Sequence, residues 1–412
     1  MRWFDPVETL APTDVTGVVS AVRDARERGL VVYPTGGGTA LGFGGWPSAK
    51  GLELSLAGLD KIVDYPARDL TITVEPGLTL KSLGEMLARE GQWLPVGIPN
   101  ADRATVGGAV SSEPPYPGRL RFGSLRDYVL GLSIVDGRGV EFTAGGRVVK
   151  NAAGYNLCRL YSGSLGTMGV ITGVTLMVRP RPGATAIVTC SLSTLEEGKA
   201  LFSTIRKDAA LLSTFALLSG RAVAQVLPRA SASPIVAVAI LDGLKEEVGW
   251  MVDRVISSWR SDQRIPELAD EAERDLLRSR LSDFPFGPSV FDPERDLVIE
   301  ANGPIAATIE LTARLRETDA EASLVTHCGC GTVVACCRPE TEDPTSFLTR
   351  ARAAVSSVGG RLCVRSYPPG ARLNRDAVFG PVREEWRLAQ RLKDRFDPQD
   401  ILNRGRFIFG AP

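Results

Sequence analysis

The sequence predicts an α+β protein in which a split, glycine-loop domain is interrupted by a second α+β domain. Three observations carry that expectation. Glycine-rich loops recur at separated places before residue 180: Gly36 to Gly38, Gly107 to Gly108, and Gly163 to Gly169. From about residue 184 onward, strand-like and helix-like runs alternate. At 412 residues the chain is also too long for one hydrophobic core, so two or three units are expected. The expected boundaries are 1–183 for the first domain, 184–370 for an inserted cap domain, and 371–412 for a segment returning to the first.

The elements follow in order. Val15, Val18, Val19, Val22 and Ala25 recur at helical spacing after Pro12-Thr13, and Gly29 stops that helix. The strand Leu30 to Tyr33 runs directly into Pro34-Thr35-Gly36-Gly37-Gly38-Thr39. Leu70 to Glu75 alternates as a strand. A helix capped by Thr79 then presents Leu80, Leu83 and Leu87 on one face and ends at Gly91. Val170 to Val178 closes this region, and Arg179 to Gly183 reads as a linker. Beyond it, strands are expected at Ala186 to Cys190, Ile235 to Leu241, Leu297 to Ala301 and Gly331 to Cys336. Helices are expected at Thr194 to Lys207, Lys245 to Ser258, Pro304 to Glu317 and Pro344 to Ser357. The pattern suggests an antiparallel sheet with helices on one side. A last amphipathic helix from Pro381 is expected to bury Val382, Trp386, Ala389, Leu392 and Phe396.

Composition narrows the function classes. Lys plus Arg equals Asp plus Glu at 48 each, so no global field recruits nucleic acid or an anionic membrane. No run reaches the roughly 18 apolar residues a membrane-spanning helix needs, and the start at Met1 to Pro6 carries no secretory signal. A cytoplasmic location is expected, with any contact to an inner membrane made through a partner. Seven cysteines without a signal peptide argue against a disulfide framework. A single histidine, His327, leaves few options for acid/base or metal chemistry.

The chemistry-bearing motifs are backbone motifs. A strand ending in three glycines lets the main chain approach an anionic ligand and turn its amides toward it. Pro34 to Thr39 is not a P-loop, since no Gly-Lys-Ser/Thr follows, and it lacks the G-x-G-x-x-G spacing. Alone it is equally a tight surface turn. Thr105-Val106-Gly107-Gly108 supplies a second small-residue loop, and Ser162 to Thr172 a third.

In that order these motifs resemble the vanillyl-alcohol-oxidase/PCMH flavoprotein superfamily, and within it the FAD-binding subunits of bacterial glycolate oxidase. The resemblance covers residues 10 to 180 densely and 381 to 406 again. It implies a PCMH-type split FAD-binding domain with an inserted α+β cap. Its P-x-G-G-G-T loop is met by Pro34 to Thr39, so Thr35, Gly36, Gly37, Gly38 and Thr39 are implied to cradle the FAD diphosphate. Its T-[IV]-G-G element is met by Thr105, Val106, Gly107 and Gly108, with Ser112 close behind. A G-x-x-R-x-G segment is met by Gly118 to Gly123, which implies cofactor roles for Arg121 and Gly123. An R-D-x-V-L-G element is met by Arg126 to Gly131. A further element is met by Gly145 to Asn156, and the last by Gly163 to Thr172, with Ile171 at the adenine-contacting position.

The chain departs from the family at Ser111-Ser112-Glu113, where an Asn is usual, at Asn156 in place of Asp, and at Asn403-Arg404-Gly405-Arg406, where a Pro is usual. None of these removes an amide donor. Covalent FAD in relatives uses a His in the first glycine loop. Thr39 and its neighbours offer none, so the resemblance implies non-covalent FAD.

Catalytic candidates are fewer. Oxidising a 2-hydroxy acid needs a base for the hydroxyl proton and cations for the carboxylate. His327 lies in Thr326-His327-Cys328-Gly329-Cys330-Gly331, where some relatives read H-x-G-x-G. It is either a working residue or a cap-strand histidine with ordinary hydrogen bonds. Arg372 and Asn374 precede the last helix, where a carboxylate-binding role competes with a surface one. Most of the basic run from Arg383 to Arg406 reads as a solvated helix face. Cys328, Cys330, Cys336 and Cys337 have neither zinc nor ferredoxin spacing, so no metal is expected.

The function implied is a flavin-binding oxidoreductase subunit for a small 2-hydroxy acid of the glycolate or D-lactate type. The implied partners are a second FAD subunit and an iron–sulfur subunit. The alternatives are a non-catalytic, flavin-carrying assembly subunit and a stand-alone FAD-dependent dehydrogenase of another alcohol.

Overall fold

Local signals in the chain set its elements. Asp14 accepts a hydrogen bond from the Gly17 amide (2.7 Å) and opens the helix Val15–Glu27, whose Val18, Ala21, Val22 and Ala25 are buried. Thr79 caps Leu80–Arg89 through the Ser82 amide (3.1 Å) and buries Leu83 and Leu87, as the sequence indicates. The computed structural model describes residues 3–4, 6–47, 49–146, 155–205, 212–287, 291–339 and 343–409. The greater part of the Gly145 to Asn156 motif (147–154) and the end of the expected helix to Lys207 lie outside the described residues.

The chain divides into two units. The first comprises Met1–Pro114, Ser124–Pro180 and Pro369–Pro412, and the second Pro115–Gly123 and Arg181–Pro368. The segment Pro115–Gly123, which carries Arg121 and Gly123, thus belongs to the second unit.

The first unit holds ten strands: β1 (Glu8–Leu10), β2 (Val31–Thr35), β3 (Gly51–Ser55), β4 (Ile62–Asp64), β5 (Thr71–Val74), β6 (Gln92–Trp93), β7 (Val129–Asp136), β8 (Glu141–Gly145), β9 (Gly169–Met177) and β10 (Arg179–Pro180). β1, β3 and β2 form a parallel sheet in that order, and β4-β5-β9-β7-β8 an antiparallel one. The returning chain covers the open edge of β2. Val32 donates to the Ile401 carbonyl (2.7 Å), and the Asn403 amide donates back to Val32 (2.8 Å).

The last helix is Trp386–Phe396, not a helix from Pro381, and Val382 is exposed rather than buried. Lys393 also departs from the solvated face expected of it. It is buried, with its ammonium on Asp397 (2.5 Å) and on the carbonyls of Thr167 (2.7 Å) and Leu402 (3.1 Å). Asp397 in turn accepts from the amides of Ile401 (3.1 Å) and Leu402 (2.8 Å). A buried ion pair with every oxygen engaged fixes the returning segment where it meets β2.

The second unit is built on one antiparallel sheet of eight strands: β11 (Ala184–Leu192), β12 (Leu212–Ser219), β13 (Ile235–Gly243), β14 (Glu267–Leu268), β15 (Leu297–Asn302), β16 (Ser323–His327), β17 (Thr332–Cys337) and β18 (Arg361–Ser366). Their order is β14-β11-β13-β12-β16-β17-β15-β18. Helices cover both faces rather than one. Leu195–Ile205 and Lys245–Trp259 pack with Val188, Ala237 and Ala239. Arg221–Val226 and Glu271–Asp283 pack on the opposite face with Ile187, Val236 and Val238. Period-two alternation with both sides apolar forces this two-sided covering.

Candidate cofactor site

The first unit's glycine loops meet at a cavity. β2 ends at Thr35, whose hydroxyl donates to Glu53 (3.1 Å), and the chain turns into Gly36 to Gly38. A Cβ on Gly36 would overlap the Thr105 hydroxyl, and one on Gly37 would overlap the Arg103 carbonyl. Gly38 has φ +72°, a conformation that side chains resist. The first two loops therefore touch at a distance only glycine allows. Gly107 is held in the same way, its missing Cβ 2.5 Å from the Pro76 side chain.

This packing leaves amides open. Among the described residues, no acceptor in the chain meets the amides of Gly37, Gly38 or Thr39. Three consecutive main-chain donors in a glycine turn form an anion cradle. Thr105 caps the short helix Val106–Ser112, and its oxygen takes the Gly108 amide (3.3 Å). Ser112 donates its hydroxyl to the Gly108 carbonyl (2.8 Å). The third loop is hung from this helix by the Gly163 amide on Val110 and the Leu165 amide on Ser111, each at 2.9 Å.

Two adjoining lobes of empty volume, about 690 Å³ and about 420 Å³, share Thr35, Gly36, Thr105, Gly108, Leu165 and Asn403 as lining. Of the cofactor residues expected from sequence, Thr35 to Thr39, Thr105, Gly107, Gly108, Ser112 and Ile171 line one lobe or the other. Val106 is not among the lining residues; it is buried in the hydrophobic core behind. Arg121 and Gly123 have partners within the second unit. Arg121 donates to the Asp242 carbonyl, and Gly123 accepts from the Tyr116 hydroxyl (2.6 Å).

Sequence reasoning gave no cofactor role to two lining residues of the returning segment. Asn403 donates to the Leu165 carbonyl (2.6 Å) and ties the third loop to β2. Arg406, only 6% exposed, donates to the carbonyls of Gly45 (3.0 Å) and Phe43 (2.8 Å), and also to Leu41. It is the charged side chain among the residues lining the two lobes. The Asn403-Arg404-Gly405-Arg406 run was the available signal.

The catalytic candidates lie elsewhere. Asn374 caps the helix Arg375–Phe379 through the Ala377 amide (2.9 Å), and Arg372 places its guanidinium 5.4 Å from the Trp46 ring centre. Neither lines the lobes. His327 ends β16 inside the second unit, buried, with Nδ1 unpartnered among the described residues. Burial first, and then the charge of Arg119, pull its pKa down to about 4 against the opposing effect of Glu300. Glu300 is itself buried. Burial pushes its pKa up, but Arg365 and the Asn302 amide (2.8 Å) outweigh that and hold it below the ordinary carboxylate value.

The cysteines beside it are not on one continuous strand. Gly329 and Gly331, at φ +86° and +71°, break the strand into a turn that carries Cys328 and Cys330. Burial pushes these thiols up to about 12 and about 11, and Cys336 to about 12, away from metal-binding thiolates. Among the described residues, no three His, Cys, Asp or Glu side chains come together to hold a metal ion. No described helix is long and apolar enough to cross a membrane.

A buried cradle of unpaired amides, closed by glycines that admit no Cβ, fits a dianionic diphosphate. Residues 6–145 match the family described as FAD binding domain. The first unit carries a PCMH-type FAD-binding domain, and FAD is its cofactor. The chain is 29% identical over 288 residues to the D-2-hydroxyglutarate dehydrogenase of Xanthomonas citri pv. viticola, covering 65% of this chain and 60% of that one. It is 43% identical over 124 residues to the glycolate oxidase subunit GlcE of Escherichia coli (strain K12), covering 30% of this chain and 35% of that one. The matches thus span 60% or less of the length of these two relatives. Among solved structures, the 4-ethylphenol oxidase from Gulosibacter chungangensis, in its isoeugenol complex, matches with TM-score 0.71 and 16% identity. That match covers 97% of this chain and 88% of the other, and it shares the fold.

Proposed function

We propose that the chain is an FAD-dependent oxidoreductase of small 2-hydroxy acids, working as a subunit of a glycolate-oxidase-like assembly. The observation that carries the reading is the cradle of open amides at Gly37, Gly38 and Thr39, beside lobes large enough for a dinucleotide. The two curated relatives are named for D-2-hydroxyglutarate and for glycolate, both 2-hydroxy acids, which supports the substrate class. The cofactor is held without a covalent bond, since neither His nor Cys is among the residues lining the lobes. When bound, FAD supplies a two-electron acceptor for oxidation of the carbinol carbon. The chain's own part is to hold the diphosphate on main-chain amides and to bring the charge of Arg406 to the lining.

A second reading is favoured by one observation. His327 is buried and its pKa lies near 4, too low for an efficient base at neutral pH. On that reading the chain carries flavin within an assembly, while a second FAD subunit oxidises the acid and an iron–sulfur subunit takes the electrons. Anaerobic mixing of the FAD-loaded chain with glycolate, D-lactate or D-2-hydroxyglutarate separates the two. Bleaching of the flavin by the chain alone is the expected result. Bleaching only after a partner subunit is added supports the carrier, and reduction by unrelated alcohols alone overturns the substrate class.

A further inference from the structure

We infer that Trp3 and Phe4 form the seat of the isoalloxazine ring of bound FAD. The inference rests on the FAD-binding domain and goes beyond it by assigning the two ends of the cavity. The lobes share Gly36, Thr105 and Gly108, so the diphosphate cradle lies where they join. FAD carries one ring system on each side of its diphosphate, and a diphosphate at the join sends one ring into each lobe.

The lobes differ in chemistry and size. The one of about 420 Å³ is lined away from the join by aliphatic groups such as Pro76, Val170 and Ile171. The one of about 690 Å³ is lined by the aromatic side chains of Trp3, Phe4, Tyr33 and Phe43, with Arg406. The larger lobe takes the larger, three-ring system.

Its wall is braced from behind. The Phe4 and Tyr33 ring centres are 4.6 Å apart, and those of Trp3 and Trp46 are 5.9 Å apart. The Arg406 guanidinium lies 6.0 Å from the Trp3 ring centre, and its carbonyl bonds to Phe43 and Gly45 fix that position. A braced aromatic surface binds a flat conjugated ring with little loss of side-chain freedom. The same guanidinium puts positive charge where the electron-rich edge of an isoalloxazine must lie.

The test is a titration of FAD, FMN and ADP into the FAD-free full chain and its Trp3→Ala and Trp3→Phe variants, followed by flavin and tryptophan fluorescence. Trp3→Ala should weaken FAD and FMN by about tenfold while leaving ADP within about twofold, and Trp3→Phe should stay within about threefold throughout. FAD affinity unchanged in Trp3→Ala overturns the inference. A loss confined to ADP also overturns it, because it puts adenine at this end. If Trp3→Ala lowers the melting temperature of the FAD-free chain, Phe4→Leu carries the same comparison of FMN against ADP. Failure of the parent chain to bind any of the three would instead sink the cofactor reading, and the outcome with 2-hydroxy acids bears on neither.

Discussion

The first unit's glycine cradle and the second unit's His327 cluster solve opposite problems with the same backbone chemistry. In the cradle, main-chain donors are left open and the side chains are removed, so that Gly36 and Gly37 can touch the loop at Arg103 to Thr105. In the His327 cluster, charged side chains are buried and compensate one another, with Glu300 between Arg365 and the field of Arg119. The first arrangement lacks an occupant of opposite charge. The second already holds its counter-charges, which marks it as a stabilising network more than a binding site. The difference places the cofactor chemistry of this chain in its backbone.

The largest effect that would sharpen this comparison is on stability. Lys393 and Asp397 are both essentially inaccessible to solvent, and Lys393→Met would leave the carboxylate buried without its cation. A loss of about 3 to 5 kcal/mol is expected in urea unfolding, largely restored by adding Asp397→Asn. An unchanged unfolding midpoint for Lys393→Met would mean that the returning segment is not anchored by this pair.

A smaller effect distinguishes His327. Its folded pKa of about 4 lies below its ordinary value of 6.5, so the unfolded chain takes up the proton first as pH falls. The stability held by the neutral imidazole is full above pH 6.5 and is lost as pH drops toward 4. That loss should amount to about 3 kcal/mol for a fully buried group, and His327→Asn should flatten the slope across the window. Arg119 and Glu300 face the imidazole but keep their charges there, since Glu300 titrates below its ordinary value. An identical slope in the variant would remove His327 from this account.

Much of the first unit was legible because its signals are local. Gly29, Thr79 and the glycine loops impose backbone geometry whatever surrounds them. Lys393 was not legible: it sits among Arg391, Asp394 and Arg395, and its burial depends on Thr167, 226 residues away. β12, Leu212–Ser219, is buried along its whole length, so it shows no alternation to mark it as a strand. The both-sided covering of the second sheet was missed for the same reason. Its strands are apolar on both faces, and the helix Glu271–Asp283 that covers one of them is strongly charged, with only Leu277 and Leu281 buried. The segment Pro115–Gly123 carries a recognisable glycine and arginine pattern, yet its partners are set by tertiary packing in the second unit.

The central claim is that FAD is held by the first unit's main-chain cradle and not by the second unit's side chains. Isothermal titration of FAD into the FAD-free Gly37→Ala and His327→Asn variants tests it most directly. The added methyl of Gly37→Ala must displace the Arg103 carbonyl, so FAD affinity should fall by about a hundredfold, while His327→Asn stays within about threefold of the parent. Equal affinity in Gly37→Ala and the parent, or an equal loss in both variants, would contradict it.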